Sequence, residues 1–526
     1  MQQGPSNPRA EGADDAIVPI MVKQAAGWFM QPQRDAASER EPHRIWVYRS
    51  VFGAILDGRL PPAARLPSAR QFAAEWGVTR GVVDEAFAQL QSEGLIERLV
   101  GDGSYVCASL PPDLRGPATP MIREPSANTR KAIERIAPLL APVQRNDLRE
   151  RALRACMPDV SRFPLATWRR CVARSMAADS DRSMLTFGEP AGLPMLREAT
   201  ARYAALTLSL RCRPEQVLIV NSAVQALDLI TRVLLEPGDV VAIEDPCHVS
   251  LTRALFLAHL DVVGVPIDAS GFDVDAARAR APKAAAIYLH PTNQYPTGVF
   301  TSASRRAELL RWADECGAWV IEIDYMNEFV HDASALEPLQ RMDRSDRVIY
   351  VGMFGGVAFP SLRLGYMVLP ERLMGVFALV RGLFGDHSAV ANQTALAAFI
   401  SQGHASAHLR AMRRLYRARR DAFVAAAARH LPAFARLGPT AGAFNASLHL
   451  PSRLPDMVVV DRLAQRGVAA DPLSLQTWQV LGYNGLALGY GAYSERDIET
   501  AMAEIGAVLR ELEAEAAPYQ PTGENR

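Results

Sequence analysis

Lysine is almost missing from this chain. Only Lys23, Lys131 and Lys283 stand among 57 lysines and arginines, so chemistry that needs a side-chain primary amine has three places to occur. Cysteine is sparse too. The six, at 107, 156, 171, 212, 247 and 316, form no CxxC pair and no metal-ligand spacing, which argues for reduced thiols in a cytoplasm and against disulfides or zinc. Net charge is absent, with 57 basic residues against 57 acidic ones, so any nucleic-acid contact must come from a local patch. No run approaches the roughly eighteen uncharged apolar residues of a membrane span. Glu11, Asp14 and Asp15 stand where a signal peptide would be basic. The expectation is a soluble, cytoplasmic protein without a membrane partner.

What is present divides into segments. At 526 residues the chain exceeds what one core usually organises. Residues 1–40 show no periodicity beyond the apolar patch Trp28-Phe29-Met30 and read as an extension. Residues 41–108 carry a helical stripe (Ile45, Tyr48, Phe52, Ile55) stopped by Asp57-Gly58. A second helix follows Ser68, a plain N-cap candidate, through Phe72, Ala73 and Trp76 to Gly77. A third is capped by Thr79, with Val82, Val83, Ala86, Phe87 and Leu90 as its apolar face. Leu95–Arg98 and Ser104–Val106 then read as strands around Gly101-Asp102-Gly103. That order is a winged helix-turn-helix. Residues 109–155 form a linker, with seven prolines between 111 and 142. Residues 156–515 alternate helical runs with apolar strands at Val217–Val220, Val240–Ile243, Ala285–Leu289, Trp319–Ile323, Val348–Gly352 and Leu364–Leu369. That pattern predicts one large α/β domain on a mainly parallel sheet, followed by a tail at 516–526.

The stretch GRLPPAARLPSARQFAAEWGVTRGVVDEAFAQLQSEGLIERLVGDGSYV resembles the GntR-type winged helix over about sixty-five residues. The resemblance implies a double-stranded DNA operator as partner, with the third helix in the major groove. Carried over by position, it implies DNA contacts at Arg65, Ser68, Arg70, Thr79, Arg80, Gly81, Gly103 and Ser104, the last two at the wing tip. Arginine suits that work because its planar fork can bond a guanine edge or a phosphate at two points. The charge count runs the other way: seven arginines face eight acids between 41 and 108. A winged helix used only for protein contacts is the bland alternative.

The motifs FPLATW, GEPAGLPMLREA, EPGDVVAIEDP, HPTNQYPTG, RVIYVGMFGGVAFPSLRLGYMVLP and HLRAMRRLYRARRDAF resemble fold-type I aminotransferases, in particular the MocR subgroup of GntR regulators. The resemblance implies a homodimer with a pyridoxal phosphate pocket at the strand ends. It maps the phosphate arginine to Arg363, the ring-hydroxyl tyrosine to Tyr325 and a ring-side asparagine to Asn293. The Schiff-base lysine position, seven residues before Arg363, is Gly356. The pyridine-pairing carboxylate falls on Ile323, with Asp324 aimed to the other face, and the late substrate arginine falls on Ala487. The phosphate loop reads Asn221-Ser222-Ala223-Val224-Gln225, and His248 takes the place of the pocket aromatic. No covalent pyridoxal phosphate and no catalytic residue are expected, with non-covalent cofactor at most. Two readings stay open: a regulator whose aminotransferase-like domain dimerises and senses a small-molecule effector, and an aminotransferase with an accessory DNA-binding domain. His290 reads as a packed histidine, and the arginines of HLRAMRRLYRARR as a solvated face.

Overall fold

The computed structural model describes residues 41–99, 101–109, 134, 152–177, 186–324, 326–330 and 336–516. The extension at 1–40, most of the linker, Tyr325 and the last ten residues lie outside them. Two compact units divide at Lys131 and Ala132.

In the first unit, α1 (His43–Leu56), α2 (Ala69–Trp76) and α3 (Arg80–Ser92) pack over a small sheet of β1 (Arg65–Leu66), β2 (Ile96–Leu99) and β3 (Gly103–Val106). The sheet order is β1-β3-β2, antiparallel throughout. Strand β1 was not expected, since two residues between prolines give no alternation to read. The core is aromatic: Trp76 lies 4.9 Å from Trp46 and 4.4 Å from Phe72 (ring centroids), and Phe72 meets Phe87 edge-on at 5.5 Å. Val83, Ala86, Phe87 and Leu90 of α3 are buried, as the stripe predicted, while Val82 is half-buried.

The turn between α2 and α3 is fixed chemically. Ser68 Oγ accepts from Gln71 N at 3.2 Å and the Gln71 side chain reaches back, a complete capping box. Gly77 ends α2 at φ 64°, a left-handed conformation that glycine adopts without strain. Thr79 occupies the N-cap position of α3, but its hydroxyl makes no capping bond, so the expected side-chain cap is corrected to a backbone one.

The second unit is built on an eight-stranded sheet ordered β4-β11-β10-β9-β8-β5-β6-β7. Its strands are β4 (Val217–Val220), β5 (Val240–Asp245), β6 (Asp261–Asp268), β7 (Gly271–Phe272), β8 (Ala286–Leu289), β9 (Trp319–Ile323), β10 (Val348–Met353) and β11 (Gly365–Val368). Strands β10, β9, β8, β5 and β6 run parallel, and β11 is antiparallel to both β10 and β4. Helices cover both faces, which is why β4, β8 and β11 are buried at every residue. Strand β6 was missed because Gly264 and Pro266 read as breakers. Gly264 in fact makes room for the Asp245 carboxylate, which a Cβ there would strike. A second, four-stranded antiparallel sheet, also not expected, orders β12 (Arg436–Leu437), β13 (Asn445–His449), β15 (Gly485–Gly489) and β14 (Asp471–Pro472) as β12-β13-β15-β14.

Removing the Ser68 hydroxyl tests how far the turn depends on its cap. Ser68→Ala should destabilise the winged-helix unit by about 1 kcal/mol. For a unit of this size that lowers its thermal midpoint by on the order of 5 °C, read by calorimetry on the full-length protein, with the larger unit's transition unmoved.

Candidate DNA interface and strand-end site

The N-terminal turn of α3 is open to solvent. Thr79, Arg80 and Gly81 are exposed, and a side chain at Gly81 would meet nothing within 4 Å. Arg80 Nε lies 3.3 Å from Asp84 Oδ2, and the same carboxylate accepts from Arg98 Nη2 at 2.6 Å. Arg65 bonds the Asp102 carbonyl and stacks 5.9 Å over Tyr105, whose hydroxyl donates to Asp102 Oδ2 at 3.0 Å. Gly103, at φ 142°, lets that guanidinium lie across the wing, since a Cβ there would stand 3.2 Å from Arg65 Nε. Arg70 is exposed and has no polar side-chain partner among the described residues.

Two site expectations need correction. Ser68 spends its hydroxyl on the capping box with Gln71. Ser104 lies inside the wing sheet, paired with Leu66 on one side and Arg98 on the other, so the tip is the turn through Gly101 and Asp102. The register explains the second: Gly103 already pairs with Leu99, so Ser104 falls within the ladder.

In the second unit the topology brings the mapped residues to one edge. Strands β10, β9, β8 and β5 are parallel neighbours and end together; β4 also ends there, and antiparallel β11 begins there. That edge therefore carries Asn221–Gln225, His248, Asn293, Ile323, Gly356 and Arg363, the position where open α/β sheets hold ligands. Tyr325 lies outside the described residues. Lys283 is exposed in the turn before β8, at the opposite edge.

Each residue has a defined setting. Arg363 is exposed at φ 53° and makes no hydrogen bond or ion pair among the described residues. Asn221 and Ser222 open the helix Ala223–Leu234: Ser222 Oγ accepts from Gln225 N at 3.0 Å, Gln225 Oε1 accepts from Asn221 N at 2.7 Å, and Ser388 Oγ donates to Asn221 Oδ1 at 2.6 Å. Asn293 is buried beneath Gly442, whose missing side chain makes its space. Ile323 is buried in an aliphatic cluster with Val220, Ile321 and Val351. At Gly356 a Cβ would stand 2.8 Å from Met326 Cγ, so the Met326 thioether lies where a side chain at 356 would leave the backbone. Ala487 is fully buried with Ala155, Tyr295 and Leu473.

His248 packs 5.5 Å from Tyr295, and burial pulls its pKa down to about 4, so the ring is neutral at pH 7. His290 is buried between Glu244 Oε2, 3.1 Å from Nδ1, and the Tyr288 hydroxyl, 3.3 Å from Nε2, a packed histidine. In the helix His404–His430, Leu409, Met412 and Tyr416 are buried while Arg410, Arg413, Arg414 and Arg417 are exposed; Arg419 departs from the expected solvated face, buried with its Nη2 2.7 Å from Asp159 Oδ2.

Comparisons agree on both units. Residues 46–106 match the family Bacterial regulatory proteins, gntR family, and residues 159–479 match Aminotransferase class I and II. The probable rhizopine catabolism regulatory protein MocR of Rhizobium meliloti is 30% identical over 476 residues, covering 90% of this chain and 95% of that one. The chain belongs to the MocR group of GntR regulators. The HTH-type pyridoxine biosynthesis transcriptional regulator PdxR of Corynebacterium glutamicum is 30% identical over 473 residues, 89% of this chain and 97% of its own. Among solved structures, the α-aminoadipate aminotransferase LysN of Thermus thermophilus shares the larger unit's fold, with a TM-score of 0.67 at 26% identity over 73% of this chain and 99% of that one.

One feature of this MocR-type chain was not read from sequence. Asp324 is buried on the face opposite Ile323, where it accepts from the Tyr350 hydroxyl and, at 2.9 Å, from Asn327 N. Glu328, also buried, accepts from the Tyr203 hydroxyl. Burial raises both carboxyls, Asp324 well above the usual range with the nearby Glu328 charge adding to it. Sequence places two acids four residues apart, but only the fold shows that both turn inward.

A raised carboxyl pKa means the folded state holds protons that the unfolded chain releases above pH ~4. Stability should therefore fall as pH rises from that point through the raised folded values. Asp324→Asn, which keeps one acceptor for Tyr350 or Asn327, should flatten the decline. Thermal midpoints recorded from pH 5 to 9 check this, and parallel curves for the two proteins would refute it.

Proposed function

We propose that this chain is a DNA-binding transcriptional regulator whose aminotransferase-like unit dimerises and senses a small anionic effector, without covalent pyridoxal phosphate and without transamination. The observation that carries the reading is the pairing of an exposed recognition turn, Thr79-Arg80-Gly81, with a strand edge that has no amine. In this reading Arg80 meets a base edge, Arg70 and Arg65 meet phosphates, and the wing from Gly103 follows the neighbouring groove.

The strand edge fits an anion better than it fits the covalent cofactor. Arg363 is unpaired among the described residues, and the loop Asn221–Gln225 opens a twelve-residue helix, so a phosphate or carboxylate has partners there. A covalent pyridoxal does not fit: Gly356 offers no amine, Met326 packs against it, Ile323 gives the ring nitrogen no counter-charge, and Ala487 no clamp for a substrate carboxylate. A homodimer draws support from the helix Met374–Leu383, whose Val376, Leu379 and Leu383, with Phe384 beyond them, are exposed on one stripe. The competing reading, an aminotransferase with an accessory DNA-binding unit, needs an amine that the edge lacks.

Two measurements test the proposal. Arg80→Ala should cost about 1–3 kcal/mol per half-site on a duplex selected by the wild-type protein, while size-exclusion chromatography reports an unchanged assembly. Purified protein mixed with pyridoxal phosphate and reduced with borohydride should carry no phosphopyridoxyl group on any peptide of the strand edge by mass spectrometry, any adduct falling on exposed lysines such as Lys283. An adduct at the strand edge would favour the enzyme reading.

A further inference from the structure

Six of the seven arginines between residues 41 and 108 hold a carboxylate of their own unit. The pairs are Arg44–Glu85, Arg49–Glu41, Arg59–Asp57 and Arg65–Asp102, and Arg80 and Arg98 share Asp84. Asp84 differs from the other acids of these pairs in reaching two guanidiniums, which lie on different elements. One belongs to the first residue of α3 and the other to β2 of the wing. Its side chain stays 34% exposed, so both pairs remain in contact with water and can be exchanged for other acceptors.

We propose that Asp84 is a specificity-determining residue of the DNA-binding unit. The inference rests on the DNA-binding reading and adds to it. A carboxylate between two arginines halves their net charge toward phosphates, and its own charge remains when a guanidinium swings away. Phosphate contacts, which every sequence offers, are therefore weakened by repulsion from Asp84. Guanine N7 and O6 are neutral acceptors and meet far less of that repulsion, so a bidentate base contact by Arg80 keeps its strength. Asp84 thus lowers the sequence-independent part of binding more than the sequence-dependent part. The near-balanced charge of a unit expected to bind DNA follows from the same device.

The test uses full-length protein, wild type, Asp84→Asn and Asp84→Glu. Two duplexes serve as probes: one of mixed sequence about three helical turns long, and one enriched by the wild-type protein from a randomised pool. Fluorescence anisotropy over a salt series should show Asp84→Asn binding the mixed duplex about tenfold tighter, with log K falling more steeply against log salt by about one counterion per released contact. Affinity for the enriched duplex should change less than threefold, so the ratio between the two falls. Asp84→Glu, which keeps the charge, should retain the wild-type ratio. An unchanged ratio and salt slope in Asp84→Asn would overturn the proposal. So would equal loss on both duplexes with a lowered thermal midpoint, because Asp84 would then only join helix to wing. A wild-type protein that binds neither duplex and enriches nothing would instead remove the DNA-binding reading itself.

Discussion

The larger unit depends on one constraint: a sheet buried on both faces must end its strands together. Strands β4, β5, β8, β9 and β10 are nearly continuous apolar runs because helices cover both sides of them. Polar backbone and polar side chains are then confined to the strand ends, and the loops leaving one edge converge. Asn221, His248, Asn293, Gly356 and Arg363 are brought together by that rule although they span more than a hundred positions of sequence. Exchanging what the loops carry leaves the core intact. A chain can therefore carry glycine at 356, isoleucine at 323 and alanine at 487 and still form this sheet.

The winged helix solves a different problem with fewer residues. Its core sets a few aromatic rings among aliphatic side chains, and its turns are set by a capping box and by glycines at left-handed positions. Apart from Arg70, each of its surface arginines faces a carboxylate of the same unit, with Arg80 and Arg98 sharing Asp84, so most of the positive charge is offset locally. The charge count that argues against DNA in the sequence is, in three dimensions, a set of exchangeable partners.

Much of this was legible beforehand, where the signal was local. Periodic apolar faces placed α1, α2 and α3, and continuous apolar runs placed β4, β9 and β10 close to their observed bounds. What escaped was long-range or very short. Strand β1 is two residues held by β3, β6 contains a proline and a glycine whose missing side chain makes room for Asp245, and β12 to β15 depend on pairing across the chain. At the sites, residue type predicted position better than partner. Arg65 and Arg80 are exposed where expected, but their carboxylates, and the Met326 contact at Gly356, are properties of distance in space.

The scarcity of lysine has a regulatory side. Between residues 41 and 108 every side-chain cation other than histidine is a guanidinium, a group that proteins do not deprotonate. Enzymes that acetylate ε-amino groups find no substrate on this surface, so the commonest way of erasing a positive charge at a nucleic-acid contact is closed. What remains open to change on this surface is which partner each guanidinium holds.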